Sequence, residues 1–317
     1  EVADVIMASG MRGVVGQTLA DFDPPDHRSF DEGFALCDAL AGHCAGMDRV
    51  TAAIAPHAPY STGMAVMERA ALWHEAHQDT RLMIHLAETV AEVDWAVQTH
   101  GMTTTAVCAA AGVLKPGAIA AHALLLEDAD IDILASTGTG VAHNARSNGK
   151  AGRGIARIED MRRAGIPVGI ATDGPMSGNT LDLFSQFGVV SIFGKLRGGS
   201  RKPLPTRDVI RMATIEGARV LGLEAQTGSL EVGKAADLIR IDLSAPRMQP
   251  IYAPNSVLVF AAMPTDVRDV MVDGVWLMRD RGVETLEPAR VLADANQVAG
   301  RFRTEIVAIA AARAAKG

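Results

Sequence analysis

Histidines and an aspartate stand at the ends of five consecutive strand-like segments of this chain. The segments are short and apolar, and the residues that end them are His57, His85, His122, His143 and Asp173. Successive members lie roughly 20 to 40 residues apart, which is the length of one strand–helix unit. Core packing gives no reason for such a series, because an unpaired polar group at the end of a buried strand is costly. The pattern therefore predicts one shared site at the carboxyl ends of parallel strands.

The segment at residues 81–88, RLMIHLAE, carries two residues of this predicted site. His85 ends an apolar run, and Glu88 follows three residues later in the loop. A metal ligand beside an acid/base carboxylate would show this pattern, and so would a backbone-bonded histidine beside a solvated glutamate. Asp173 ends another apolar strand, so its carboxylate is expected to face the site, unless it forms only a turn with the glycine that follows.

The elements that must position these residues alternate between strand and helix. Strands are predicted at residues 12–15, 51–55, 82–85, 118–122, 140–143 and 167–172, and helices at 29–40, 63–76, 92–112, 127–136, 158–164, 181–195 and 206–221. This alternation favours a parallel sheet covered by helices. The five other histidines fall on helices or loops and are expected at the surface: His27, His43, His74, His77 and His100.

Composition excludes several classes of partner. The 317 residues include 30 basic and 37 acidic ones, and the net charge of −7 without a basic block argues against nucleic acid. No apolar run reaches the ~18 residues of a membrane span, so no membrane partner is expected. The three cysteines form no Cys-x-x-Cys pair. This excludes a cysteine-ligated zinc of the small nucleobase deaminases and favours a reducing, cytoplasmic location.

Four motifs carry a resemblance to a known family. HLAE, AHA, VAHN and ATDG, in this order and spacing, resemble the amidohydrolase superfamily. APHAPYS, IHLAET, AAHALLL, GVAHNARSN and GSLEVGKAADL are most similar to methylthioadenosine/S-adenosylhomocysteine deaminases, in the branch with cytosine-, guanine- and adenosine-type deaminases. The resemblance runs from residue 11 to about residue 281. It implies an α/β fold, with a partial (β/α)8 barrel at residues 1–225, strands of a small β-sandwich at 226–285 and a C-terminal helix at 286–317.

One feature of that family does not occur in this sequence. Its first barrel strand carries a His-x-His pair that supplies two metal ligands, and no such pair exists here. Residues 1–10 read as the tail of a helix and include no initiator methionine. We therefore expect a fragment that lacks the first barrel strands. Such a fragment would hold half of the metal site and would bind zinc weakly.

The resemblance implies a zinc-dependent reaction, with Fe²⁺ as the other possible metal. His85 and Asp173 would be metal ligands, and Asp173 would also take the proton from the attacking water. His122 would orient that water, and Glu88 would protonate the ring nitrogen beside the carbon under attack. A backbone-bonded structural histidine remains an alternative for His85 and His122, and a loop carboxylate for Glu88.

The same resemblance implies the substrate and its contacts. His57 would contact the ribose, and Gln17, His143 and Asn144 would line the substrate site, although Asn144 could serve only to cap a turn. The implied reaction removes the exocyclic amine of methylthioadenosine, adenosine or S-adenosylhomocysteine as ammonia, in a homodimer or higher homo-oligomer. Three alternatives stay open: a guanine- or cytosine-type deaminase, a chlorohydrolase-like enzyme, and a metal-free binding homologue if the complete gene lacks His-x-His.

Overall fold

Six parallel strands form the central sheet of the protein. The computed structural model describes residues 1–314, and the strand order in the sheet is the order in the sequence. The strands are β1 Gly13–Leu19, β2 Val50–Pro56, β3 Arg81–Leu86, β4 Ala118–His122, β5 Gly140–His143 and β6 Val168–Ile170. Each strand pairs in parallel with the next, and helices connect them. This arrangement, with the antiparallel sheet described below, confirms the predicted α/β barrel with an appendage.

Helices cover the sheet and continue beyond it. They are α1 Val2–Ser9, α2 Phe30–Cys44, α3 Pro59–Thr62, α4 Met64–Ala76, α5 Val90–His100, α6 Thr104–Ala110, α7 Asp128–Thr137, α8 Ala145–Lys150, α9 Ile158–Arg163, α10 Pro175–Gly178, α11 Phe184–Gly198, α12 Thr206–Met212, α13 Ile215–Leu221, α14 Pro254–Phe260 and α15 Pro288–Ala314. The hydroxyl oxygen of Ser29 accepts the backbone N–H of Glu32 and caps the start of α2.

Two of the predicted helices are each divided in the structure. The prediction of one helix over residues 92–112 is wrong, because Gly101 ends α5 in a left-handed conformation with φ 66° and Thr103 caps α6. The prediction over 206–221 is wrong in the same way, since Thr214 separates α12 from α13 with a non-helical backbone. Amphipathic periodicity continues across both breaks, which is why the pattern alone does not reveal them.

A second, smaller sheet is antiparallel. Its strands are β7 Leu238–Ile241, β8 Val267–Val272, β9 Val275–Arg279 and β10 Gly282–Val283, in the order β10-β9-β8-β7. Asp273 and Gly274 join β8 to β9 with φ values of 52° and 78°, the two positive angles of a type I′ hairpin turn. Between β7 and β8 the chain returns to the barrel, where α14 packs against α11 and α12.

The hydrophobic core lies between the central sheet and its helices. Ile54 and Leu82 from the strands and Met67 from α4 are fully buried there, and all three cysteines are buried as well. The prediction of a surface position is wrong for His27 and His74, whose exposed fractions are 3% and 7%. One nitrogen of each ring bonds to a nearby oxygen: His27 Nδ1 to the Asp26 carboxylate and His74 Nε2 to the Thr80 carbonyl. Within the described residues, His27 Nε2 is buried without a partner.

One ion pair joins β1 to the small sheet. The guanidinium of Arg12 donates to both carboxylate oxygens of Asp237, at 2.9 and 3.1 Å, and Asp273 donates its backbone N–H to the same carboxylate at 2.8 Å. The two side chains are only 13% and 17% exposed. Burial raises the pKa of Asp237, and the bonds from Arg12 and from the Asp273 N–H outweigh it, so the pKa falls below its usual value.

We expect Arg12→Met to lower the free energy of unfolding by about 2–3 kcal/mol at pH 7, between the values for surface and fully buried pairs. Because the pKa of Asp237 is lowered in the folded state, the extra stability of the wild type over Arg12→Met is present above about pH 4. It disappears as pH falls through the folded-state pKa. Urea unfolding at a series of pH values measures this difference in the free energy of unfolding. Arg28→Met is the control, since its pair with Asp23 is 78% and 84% exposed. Equal losses for the two variants would contradict the prediction.

Candidate active site

Three histidines form a row across the carboxyl ends of neighbouring strands. The ring centroids of His57 and His85 are 4.8 Å apart, and those of His85 and His122 are 5.5 Å apart. These rings come from the ends of β2, β3 and β4, whose parallel register places Leu86 opposite His122. The structure thus brings together strand ends that are far apart in the sequence.

Glu88, His122 and Asp173 meet at the end of this row. Each offers one ligand atom, and these atoms all lie within 4.8 Å of one another. Glu88 Oε1 is 3.3 Å from His122 Nε2. Asp173 reaches the cluster from the loop after β6, two strands beyond β4. The glutamate, histidine and aspartate that the sequence predicts for acid/base chemistry therefore lie together in one cluster.

The backbone at these positions is strained. Ala87, His122 and Asp173 have φ values of 49°, 70° and 61°, in the left-handed region that residues with a side chain rarely adopt. Such conformations cost of order 1–3 kcal/mol each and persist where surrounding bonds over-determine them. Two of these residues, His122 and Asp173, belong to the cluster, and Ala87 directly precedes its third member, Glu88.

His85 is oriented by the neighbouring strand. Its Nδ1 donates to the backbone carbonyl oxygen of His57 at 2.7 Å, which leaves Nε2 with a free lone pair. Metal-binding histidines are usually held in this way, with the other ring nitrogen donating to a backbone or carboxylate oxygen. The contact also agrees with the alternative of a backbone-bonded structural histidine.

Asp173 is held as a carboxylate. Its Oδ2 accepts from the Ser147 hydroxyl at 2.6 Å, and its Oδ1 accepts the backbone N–H of Gly174 at 2.7 Å. Burial raises the pKa of Asp173, but these two bonds and the nearby His122 outweigh it and lower the pKa. An ionised carboxylate at this place can bind a cation or accept a proton.

His122 is buried and fixed through its second nitrogen. Its Nδ1 donates to the side-chain oxygen of Asn148 at 2.8 Å, and the residue is only 1% exposed. Burial lowers the pKa of His122, against the opposing effects of Asn148 and Glu88. A neutral ring with hydrogen on Nδ1 leaves Nε2 free to accept a hydrogen bond on the side of Glu88.

Glu88 has a partner that sequence reasoning missed. Arg153, in the loop after α8, forms an ion pair with Glu88 Oε1, and the two side chains are 33% and 18% exposed. Arg153 follows no strand and belongs to no periodic pattern, so the sequence contains no signal for this contact. Ser147 and Asn148 were missed as well, although both lie within the GVAHNARSN segment that carries the family resemblance.

The donor set suits a divalent metal. His85 offers a free imidazole nitrogen, Asp173 offers an ionised carboxylate, and oriented nitrogen and oxygen donors of this kind are ligands for zinc. His85 donates to the His57 carbonyl, and Asp173 accepts from the Ser147 hydroxyl. Such supporting hydrogen bonds usually orient the residues that bind a metal.

The residues predicted to contact substrate have different surroundings. The imidazole of His57 bonds through Nδ1 to the Ser61 hydroxyl at 2.7 Å and meets the ring of Phe22 edge-on at 4.9 Å. Burial lowers its pKa. The Gln17 amide is exposed and donates to the Asp26 carboxylate at 2.8 Å. Its role in substrate binding stays a prediction.

His143 and Asn144 are buried at the end of β5, and their roles in substrate binding stay predictions. Their exposed fractions are 2% and 4%, and burial lowers the pKa of His143 to about 4, so this ring is neutral at pH 7. Within residues 1–314, His143 Nδ1 and Asn144 Oδ1 have no hydrogen-bond partner. Asn144 stands at the start of α8, but its side chain makes no capping bond. Asn144 therefore occupies the cap position of α8 without a capping bond from its side chain, and the alternative that it only caps a turn is not decided.

The amidohydrolase family model matches residues 4–277. The chain belongs to this family. It is 34% identical over 302 residues to a 5-methylthioadenosine/S-adenosylhomocysteine deaminase of Syntrophobacter fumaroxidans, covering 94% of this chain and 68% of that protein. It is 33% identical to a 5'-deoxyadenosine deaminase of Methanothermobacter thermautotrophicus, covering 95% and 70% of the two chains.

The similarity extends to solved structures. The amidohydrolase chain superposes on the crystal structure of an adenosine deaminase from Xanthomonas campestris with bound zinc, with a TM-score of 0.92 and 34% identity. The match covers 95% of this chain and 69% of that one. Among the helices of the described part of the chain, none is both long and apolar enough to cross a membrane.

We expect Asn148→Ala to lower kcat about 10- to 100-fold, because the His122 ring would lose the acceptor that fixes its orientation. Steady-state kinetics of the intact protein measure the loss. Asn296→Ala, on the exposed surface of α15, is the matched control and should keep the wild-type rate. A normal kcat for Asn148→Ala would show that the orientation of His122 does not matter for turnover.

Proposed function

We propose that this amidohydrolase is a hydrolytic deaminase that releases ammonia from an adenosine-type nucleoside. The observation that carries the proposal is the meeting of Glu88, His122 and Asp173 within 4.8 Å. Relatives at 33–34% identity whose names specify adenosine-type substrates support this choice over a guanine- or cytosine-type deaminase and over a chlorohydrolase-like enzyme.

The three residues suit the proton transfers of such a reaction. Replacing an exocyclic amine by oxygen requires a proton on the adjacent ring nitrogen and the removal of a proton from water. Glu88, partly exposed at the edge of the cluster, donates the first proton. Asp173, as a carboxylate, accepts the second and passes it to the departing amine, which leaves as ammonia. The hydroxyl proton of the tetrahedral carbon returns to Glu88 as the carbonyl forms. His122 Nε2, 3.3 Å from Glu88 Oε1 and within 4.8 Å of the Asp173 carboxylate, hydrogen-bonds to the attacking water.

A divalent metal completes this chemistry. We assign His85 and Asp173 as ligands that this chain contributes to a zinc ion, with Fe²⁺ as the other metal that such ligands accept. Bound there, the ion supplies a Lewis acid that makes water a nucleophile near neutral pH. The zinc in the similar adenosine deaminase structure supports this assignment.

We expect Glu88→Gln to lower kcat by about 10²–10⁴-fold, because the amide keeps the shape of the side chain and cannot donate the transferred proton. Ammonia release by the intact, zinc-loaded protein measures the rate, and elemental analysis checks that the metal is retained. Glu75→Gln is the control, since the Glu75 side chain is 59% exposed and, among the described residues, pairs only with Lys115. A near-normal rate for Glu88→Gln would assign the proton to another group.

The choice among adenosine-type substrates follows from Gln17. The deaminases that this chain resembles are expected to bind the carboxylate of S-adenosylhomocysteine with arginine, whereas a neutral glutamine cannot form that charge-assisted pair. The amide of Gln17 is also already bonded to Asp26. We therefore propose methylthioadenosine or adenosine as the preferred substrate.

We expect kcat/KM for S-adenosylhomocysteine to be about ten- to a hundred-fold below that for methylthioadenosine, since a charged hydrogen bond contributes roughly 1.5–3 kcal/mol. Ammonia release from adenosine, methylthioadenosine, S-adenosylhomocysteine, guanine and cytosine tests it. A preference for S-adenosylhomocysteine would refute the Gln17 argument. Activity on guanine or cytosine alone would refute the adenosine-type assignment.

A further inference from the structure

A buried carboxylate lies directly behind the loop that carries Glu88. Glu92 belongs to the first turn of α5 and is only 2% exposed. Its backbone N–H donates to the Thr89 hydroxyl, which caps the helix. In the described part of the chain, Glu92 forms no ion pair with a lysine or arginine. Burial raises the pKa of Glu92, and hydrogen bonds from the backbone N–H groups of Glu88 and Ala87 oppose that rise without cancelling it.

Both oxygens of Glu92 bond to the backbone of the loop. Oε1 accepts the N–H of Ala87 at 2.8 Å, and Oε2 accepts the N–H of Glu88 at 2.9 Å. One side chain therefore fixes two consecutive peptide groups. The first of these belongs to the residue with φ 49°, which turns the chain out of β3 toward the cluster.

A second helix shows what an ordinary cap of this type does. Asp130 is also 2% exposed, also lies in the first turn, and accepts the N–H of Glu127, the residue that caps α7. That is the usual capping box, in which the carboxylate returns to its own cap residue. Glu92 instead reaches past its cap, Thr89, to the two residues before it. Helix capping alone does not require this.

We propose that Glu92 is a positioning residue that acts through Glu88. By holding the backbone N–H groups of Ala87 and Glu88, it fixes where the Glu88 side chain begins, so that the carboxylate meets His122 Nε2. The inference rests on the proposed role of Glu88 as the proton donor.

The chemistry requires a carboxylate at this position. Two adjacent N–H groups need two acceptors, and a carboxylate has two oxygens that only accept. Glutamine has the same shape, but its amide offers one acceptor and places an NH₂ group against the other backbone N–H. Glu92→Gln therefore releases one peptide group of the loop while it leaves the packing volume unchanged.

The test compares Glu92→Gln with Asp130→Asn in the intact, zinc-loaded protein. Both remove a buried first-turn carboxylate, so both should lower the melting temperature. We expect Glu92→Gln to lower kcat about 10- to 100-fold, with KM within about 3-fold of wild type and zinc content unchanged. Asp130→Asn should keep the wild-type kcat. Equal rates for the two variants would overturn the proposal.

A double variant tests whether Glu92 acts through Glu88. In a Glu88→Gln background, Glu92→Gln should change the residual rate by less than about 3-fold, because the group that it positions no longer donates a proton. A full additional loss there would overturn the proposal. If Glu92→Gln does not fold, Glu92→Asp is the second variant: it keeps the carboxylate but withdraws it by one methylene from the two N–H groups. It should lower kcat about 10-fold with KM retained, and an unchanged kcat would refute the inference.

Amide hydrogen exchange separates this inference from the proposed function. We expect faster exchange at the N–H groups of Ala87 and Glu88 in Glu92→Gln but not in Asp130→Asn. This result would show, without any activity measurement, that Glu92 fixes the two peptide groups. If the wild-type protein releases no ammonia from any nucleoside, the deaminase proposal fails. Amide exchange would still show whether Glu92 fixes the backbone of Ala87 and Glu88. Unchanged exchange at both residues would overturn the positioning role even in an active deaminase.

Discussion

The site depends on keeping two carboxylates beside one buried imidazole. Whenever both are ionised, as after Glu88 has given up its proton, Glu88 and Asp173 repel each other at this separation, and the repulsion grows as water is excluded. The protein offsets it on both sides, with Arg153 against Glu88 and with the Ser147 hydroxyl and a backbone N–H against Asp173. The loops after α8 and β6 can therefore be understood as supports for negative charge. A divalent cation would relieve the same repulsion.

Charge and backbone strain are balanced in the same few loops. The left-handed conformations at Ala87, His122 and Asp173 are unfavourable in isolation, and each lies next to a hydrogen bond that an open chain would lose. Strain and hydrogen bonding together specify one arrangement of the strand ends. A more relaxed backbone would leave the same residues in the sequence but would turn their side chains away from one another.

The sequence predicted the part of the site that follows from periodicity. Apolar runs that end in His85, His122 and Asp173 place those residues at strand ends, and parallel strands bring such ends together. The supports were not predictable in this way. Arg153 is 65 positions from Glu88, and Asn148 is 26 from His122, so only the folded chain shows these pairs. Likewise, His27 and His74 are buried because of tertiary packing, which a helical or loop position does not reveal.

The burial of Cys37, Cys44 and Cys108 makes the native thiols poor nucleophiles. Burial raises the pKa of all three thiols, that of Cys37 to about 12. Alkylating reagents react with the thiolate, which is the nucleophile, and hardly with the thiol. A cysteine introduced on the exposed surface of α15 would therefore react with a maleimide dye far faster than the native ones. Fluorescence or spin labels could be attached at a chosen position without first removing any cysteine from the core.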